Sequence, residues 1–164
     1  MAHALTRRHV ALSLALAGLA GRAVAAEGGK TMLTVSGRIA AADGVRMDRE
    51  AIERLGLVTL QTTTPWHNGR VTFEGVPMRA LLREVGAKGT SVQALALNDY
   101  STEIPMADFE KYDVILALKR DGEYMPVRDK GPLFIVYPYD SDPDLKSQKF
   151  YSRSAWQVKA LVVK

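Results

Sequence analysis

The segment from Thr62 to Leu82 switches from turn to strand to helix within a short length of chain, and that confines the fold. Asn68-Gly69 is a tight-turn signal, because both residues tolerate the positive φ that a closely twisted hairpin requires. It leads into a strand over Arg70 to Phe73. Pro77 has no amide hydrogen to leave unpaired and a φ already suited to a helix, so it fits the first helical residue. Met78, Leu81, Leu82 and Val85 follow at i, i+3, i+4 and i+7 as one apolar stripe, and Gly86 can close the helix. Elements this short bury an apolar face only within a layered domain.

The rest of the chain reads the same way. Leu33, Val35, Gly37 and Ile39 alternate with polar residues as a half-buried strand. Asp48 stands as an N-cap before a helix with Ile52 and Leu55 on one side and Gly56 at its end. Leu57 to Thr63 is rich in β-branched residues and predicts a strand. Ser91 to Leu97 and Tyr100 to Ile104 predict two strands joined at Asn98-Asp99, and Val114 to Lys119 turns at Asp121-Gly122 into a short arm at Glu123 to Met125. Leu133 to Tyr137 is apolar throughout, as a strand covered on both faces would be. A polar loop from Pro138 to Ser152 precedes a last strand over Ala155 to Val163. The expectation is an α+β fold, mostly mixed β-sheet with a few short helices.

Residues 1–26 read as a signal peptide. Arg7, Arg8 and His9 form a basic region, Val10 to Ala20 is apolar but too short to span a bilayer, and Ala23-Val24-Ala25 fits a cleavage site near Ala25 or Ala26. Thr6-Arg7-Arg8-His9-Val10-Ala11-Leu12 suits the twin-arginine route as well as the ordinary secretory one, and both stay open. A periplasmic location is expected. The mature part, residues 27–164, is about 138 residues, a usual size for one domain with no membrane span.

Three arginines leave with the signal and no acid does, so 19 basic residues face 18 acidic ones in the mature chain. That balance gives no electrostatic footprint for nucleic acid. The chain has no cysteine, so an exported form is held by core packing without disulfides, and soft metal ligands are missing.

The run Thr62-Thr63-Thr64-Pro65-Trp66-His67-Asn68-Gly69-Arg70-Val71-Thr72-Phe73-Glu74-Gly75-Val76-Pro77-Met78-Arg79-Ala80-Leu81-Leu82 resembles the molybdopterin-binding domain of the sulfite oxidase family. Leu97-Asn98-Asp99-Tyr100, Gly131-Pro132-Leu133-Phe134 and Arg153-Ser154-Ala155-Trp156 are similar to further blocks of that family in the same order. The resemblance implies the sulfite-oxidase-type fold and makes molybdopterin a cofactor by resemblance only. Catalytic members hold their metal through a cysteine thiolate, and the best candidate for that position here is Thr63, whose hydroxyl is no soft anion. No metal is therefore expected. The family commonly carries a lysine before the tryptophan of its last block, where this chain has Ala155.

Candidate binding residues follow from both sources. His67 is the only histidine of the mature chain and lies on a loop beside Trp66, where it either faces a ligand or packs on the indole. Asp99-Tyr100 resembles an element at the edge of the cofactor pocket, or is a turn residue followed by a packed aromatic. Tyr137 ends a buried strand, with core packing as the plainer role. Arg153, with Lys149 and Arg128, is suited to a cofactor phosphate, while Trp66, Arg70 and Thr63 complete the set, the tryptophan with core packing as its commoner role. Asp140, Asp142 and Asp144 alternate but lack the glycine and distal glutamate of a calcium loop.

Three functions are compatible with these residues. One is a non-catalytic module that binds a small polar ligand or pterin, or senses it. Another is a periplasmic molybdenum-pterin oxidoreductase or a subunit of one. The third is docking on a periplasmic protein partner. The missing cysteine favours the first and leaves no catalytic residue to name.

Overall fold

A computed structural model describes residues 29–164, so the signal-peptide reading lies outside the described residues. Ten strands form two five-stranded sheets. The first contains β1 (Leu33–Gly37), β2 (Val45–Met47), β5 (Ser91–Ala96), β6 (Ser101–Pro105) and β10 (Val158–Val163), in the order β2-β1-β10-β5-β6. Only β1 and β10 pair in parallel, which makes this sheet mixed. The second runs β3 (Val58–Thr63), β4 (Arg70–Pro77), β7 (Ile115–Arg120) and β8 (Glu123–Tyr124), with β9 (Phe134–Val136) also paired to β7. Four short helices join them: α1 (Arg49–Glu53), α2 (Met78–Glu84), α3 (Met106–Lys111) and α4 (Gln148–Arg153). This is the expected α+β fold.

Local chemistry explains the elements that the sequence predicts. Asp48 caps α1 by accepting from the Ala51 amide at 2.8 Å. Gly86, at φ +64°, ends α2 in a Schellman motif: its amide reaches the Arg83 carbonyl and the Ala87 amide reaches the Leu82 carbonyl. Asp121 and Gly122 both have positive φ, the backbone of the two-residue turn between β7 and β8.

Five readings need correction. The second strand in the chain is β2, too short to show a period, and it is fixed by pairing Met47 with Leu33. β4 does not stop at Phe73 but continues to Pro77 through a bulge at Glu74 and Gly75, and Pro77 caps α2 instead of opening it. The segment from Pro138 to Ser152 is not a plain loop, because α4 lies within it; its single buried residue, Phe150, leaves no apolar stripe to read. β10 starts at Val158 rather than Ala155, because Gln157 has φ +55° and Trp156 makes only one bridge, to Phe134. Helix α3 has no counterpart in the sequence pattern, since its apolar face is confined to a single turn.

The core fills the space between the sheets with Leu33, Val35, Phe73, Leu81, Ile104, Leu116, Phe134 and Leu161, all fully buried or nearly so. Every residue of β9 is buried, in line with the apolar run that predicts it. The connection from this strand to α4 places Asp140 against the end of β3, at Thr62 and Thr63.

Candidate functional site

The site is built where β3 ends and residues 64–69 cross to β4. Thr63 donates to Asp140 twice, from its amide at 2.8 Å and from its hydroxyl at 2.6 Å. The Thr62 hydroxyl accepts from the Asp140 amide at 3.1 Å. Lys146 Nζ lies 2.8 Å from the same carboxylate and an Arg70 guanidinium nitrogen lies 3.5 Å from it. Lys146 and the two Thr63 donors hold the Asp140 carboxyl well below the usual carboxylate range, because each favours the charged form. Thr63 and Arg70 therefore meet at Asp140.

His67 has both ring nitrogens engaged. Arg120 lies 3.1 Å from Nε2, and a guanidinium only donates, so Nε2 is the bare acceptor and Nδ1 carries the hydrogen. Nδ1 then donates to the Thr64 hydroxyl at 2.7 Å, and that oxygen also accepts from the Trp66 amide at 3.3 Å. Arg120 is fixed in turn by a two-pronged pair with Asp129, at 3.0 and 2.6 Å. Burial, then the Arg120 and Lys130 charges, push the His67 pKa down, with Asp129 and Asp121 partly opposing. The ring is a neutral brace for the loop, packed edge-on to Phe73 at 5.9 Å.

This brace presents Trp66 to an aromatic cluster. Its indole meets Trp156 at 5.4 Å, Phe134 at 5.7 Å and Tyr151 at 5.9 Å, all edge to face. Beside the cluster is a cavity of about 300 Å³. Trp66, Trp156, Tyr100 and Tyr151 form its aromatic walls, Asn98, Gln148, Ser152 and Ser154 its polar lining, and Pro65 and Ala155 complete it. Tyr100 is held there by a 2.7 Å bond from its hydroxyl to the Ser152 carbonyl, which ties the β5–β6 turn to α4. A larger groove of about 1000 Å³ runs along β1 and β10, but none of the candidate residues lines it.

The remaining candidates lie elsewhere. Tyr137 is fully buried and donates to Asp108 at 2.7 Å, and Arg153 donates to the same oxygen at 2.8 Å. Burial and the Asp108 carboxyl drive the Tyr137 pKa far upward, so this hydroxyl stays protonated. Asp99 occupies the left-handed turn position, φ +64°, with its side chain in solvent. Lys149 lies 5.1 Å from the Phe150 ring centroid. Asp142 caps the short turn that follows it, by accepting from the Asp144 amide. Of the candidates, Trp66 and Tyr100 share the cavity, while Thr63, His67 and Arg153 belong to three separate hydrogen-bond networks. Gln148, Tyr151 and Ser152 had no sequence signal, because they come from a helix that carries no apolar stripe.

A family model described as the oxidoreductase molybdopterin binding domain matches residues 38–140. The matched segment contains the β3–β4 loop, the Asn98–Tyr100 turn and Asp140. The chain belongs to this family. No curated protein matches it.

Molybdopterin is the group that this family binds, and the residues present do not suit its usual thiolate-held metal. The whole chain has no cysteine, and the Thr63 hydroxyl is spent on Asp140. Among the described residues no three His, Asp or Glu side chains converge as a metal set. Arg153, the candidate phosphate anchor, is committed to Asp108.

Proposed function

We propose that the mature protein is a non-catalytic, exported binding module of the molybdopterin-binding family, acting in the periplasm on a small ligand held in the cavity beside Trp66. The observation that carries this reading is the cavity itself, four aromatic walls with polar side chains between them. Its size is at the lower end of the range for small-molecule sites. The Thr63–Asp140 clamp supports the absence of redox chemistry, because a carboxylate stands next to the position where the resemblance puts a thiolate.

The pair Arg7-Arg8 favours a second reading, export of a folded, cofactor-loaded oxidoreductase or of a subunit of one. One experiment separates the two. The mature protein is purified from a host that makes and loads molybdopterin, then assayed for molybdenum by mass spectrometry and for pterin by fluorescence after acid release. Absence of both from folded, exported protein is the expected result. Stoichiometric molybdenum with pterin would overturn the non-catalytic reading, and pterin alone would make the ligand the cofactor without its metal.

A further inference from the structure

Among the described residues, no charged side chain lines the cavity beside Trp66. Basic residues do lie close by in the chain, and each is turned to another task. Arg153 is paired with Asp108 at 2.8 Å, Lys149 lies against the Phe150 ring, and Lys130 lies over the Trp156 and Trp66 rings, at 4.3 and 5.9 Å, without itself joining the lining. No acid lines the cavity either. A phosphate or carboxylate held against these walls would give up part of its hydration and find no counter-charge in the lining, which is unfavourable. Aromatic walls, in contrast, gain from any flat apolar face laid between them.

The lining also has hydrogen-bonding capacity to spare. The Asn98 oxygen accepts from the Tyr100 amide at 3.2 Å, which leaves its NH2 group without a partner among the described residues. The Gln148 amide, in the exposed first turn of α4, has no partner among the described residues at either its oxygen or its nitrogen. Ser152 and Ser154, by comparison, are spent on the carbonyls of Lys149 and Phe150. Two amides offering donors and an acceptor, set among aromatic rings, match a flat ring system whose edge carries both acceptor and donor atoms.

From this we infer that the cavity takes an uncharged, planar heteroaromatic compound of one or two fused rings, a free base or nucleoside rather than its phosphate. The inference rests on the binding-module reading above and adds the ligand class. It also separates this cavity from recognition of a phosphorylated cofactor through its phosphate.

Trp66 and Trp156 are the only two tryptophans in the chain, and both line the cavity, so their two indole N–H signals in a 1H–15N spectrum report on it directly. The mature protein is titrated with adenosine, guanosine and uridine, each beside its 5′-monophosphate, so that every pair differs by the phosphate alone. The expected result is a saturable shift of both indole signals by at least one nucleoside, with its monophosphate at least about tenfold weaker. Gln148→Ala, at an exposed position, should weaken that binding about three- to tenfold with the fold unchanged. Gln148→Lys should narrow or reverse the preference against phosphate. A monophosphate that binds as tightly as its nucleoside would overturn the ligand class and leave the binding module intact. No indole shift from any compound would also overturn the class, while the molybdenum and pterin assay tests the module independently.

Discussion

Asp108 joins Tyr137 and Arg153, and replacing it with alanine should be among the most damaging single changes outside the apolar core. Its side chain is 12% exposed and that of Arg153 17% exposed, so neither has ready access to water. Asp108→Ala leaves the fully buried Tyr137 hydroxyl without its 2.7 Å acceptor, which costs about 1–3 kcal/mol. It also strands the Arg153 guanidinium. Breaking a buried pair costs about 3–5 kcal/mol, and the partial exposure of Arg153 reduces that to about 1–2 kcal/mol. The expected total is about 2–5 kcal/mol, on the order of 10 °C in Tm for a chain of this size. Asp108→Asn keeps an acceptor for the tyrosine and should lose less than half as much, and Tyr137→Phe should lose about 1 kcal/mol. Urea unfolding followed by circular dichroism at pH 7 measures all three. A loss below about 1 kcal/mol for Asp108→Ala, with an unchanged m-value, would refute the network and free Arg153 for a ligand.

Other expectations follow from the same geometry. Because the folded His67 pKa lies below the 6.5 of a free ring, the unfolded chain binds the proton first. His67 therefore contributes full stability above about pH 6.5, and this is lost as pH falls until the folded ring is also protonated. Thermal melts from pH 7.5 to 5.5 should show the slope in the native chain and a smaller one in His67→Gln. The Asp140 contribution begins to fall only below its ordinary value of 3.8, outside that window. Thr63→Val removes the 2.6 Å donor from Asp140, so the carboxyl should titrate at higher pH by 13C NMR, with a stability loss of about 1 kcal/mol. A Cβ on Gly75 would lie 2.2 Å from the Leu116 carbonyl oxygen, between paired β4 and β7, so Gly75→Ala should fail to give soluble protein. Gly69→Ala meets no atom within 4 Å and has only its φ of +72° to oppose it, so it should fold with a loss of about 1 kcal/mol.

Elements with complete local signals were legible without coordinates. The α2 stripe from Met78 to Leu82, the Asp48 cap and the Asp121-Gly122 turn depend on side chains within a few residues of one another. Strand β2 and helix α4 were not legible, since one is three residues long and the other buries only Phe150. Trp66 was a candidate for stacking and Tyr100 through the family resemblance, and the fold brings them to one cavity. Tyr137 and Arg153 had the right chemistry for a ligand, but their meeting with Asp108 depends on where α3 packs, and nothing in the local sequence marks α3.

By itself the sequence determined the α+β class, the family, the absence of any thiolate and the near-neutral charge of residues 27–164. Periodicity carries the class, the order of short motifs the family, and composition the rest, and none of these needs long-range contacts. The tertiary structure alone decided which polar groups are spent and which remain free. Thr63 finds Asp140 across 77 residues, Arg120 finds His67 across 53, and Tyr100 finds Ser152 across 52. Hydrogen-bond partners at such distances are set by strand pairing and helix placement, so the chemistry of an isolated residue cannot disclose them.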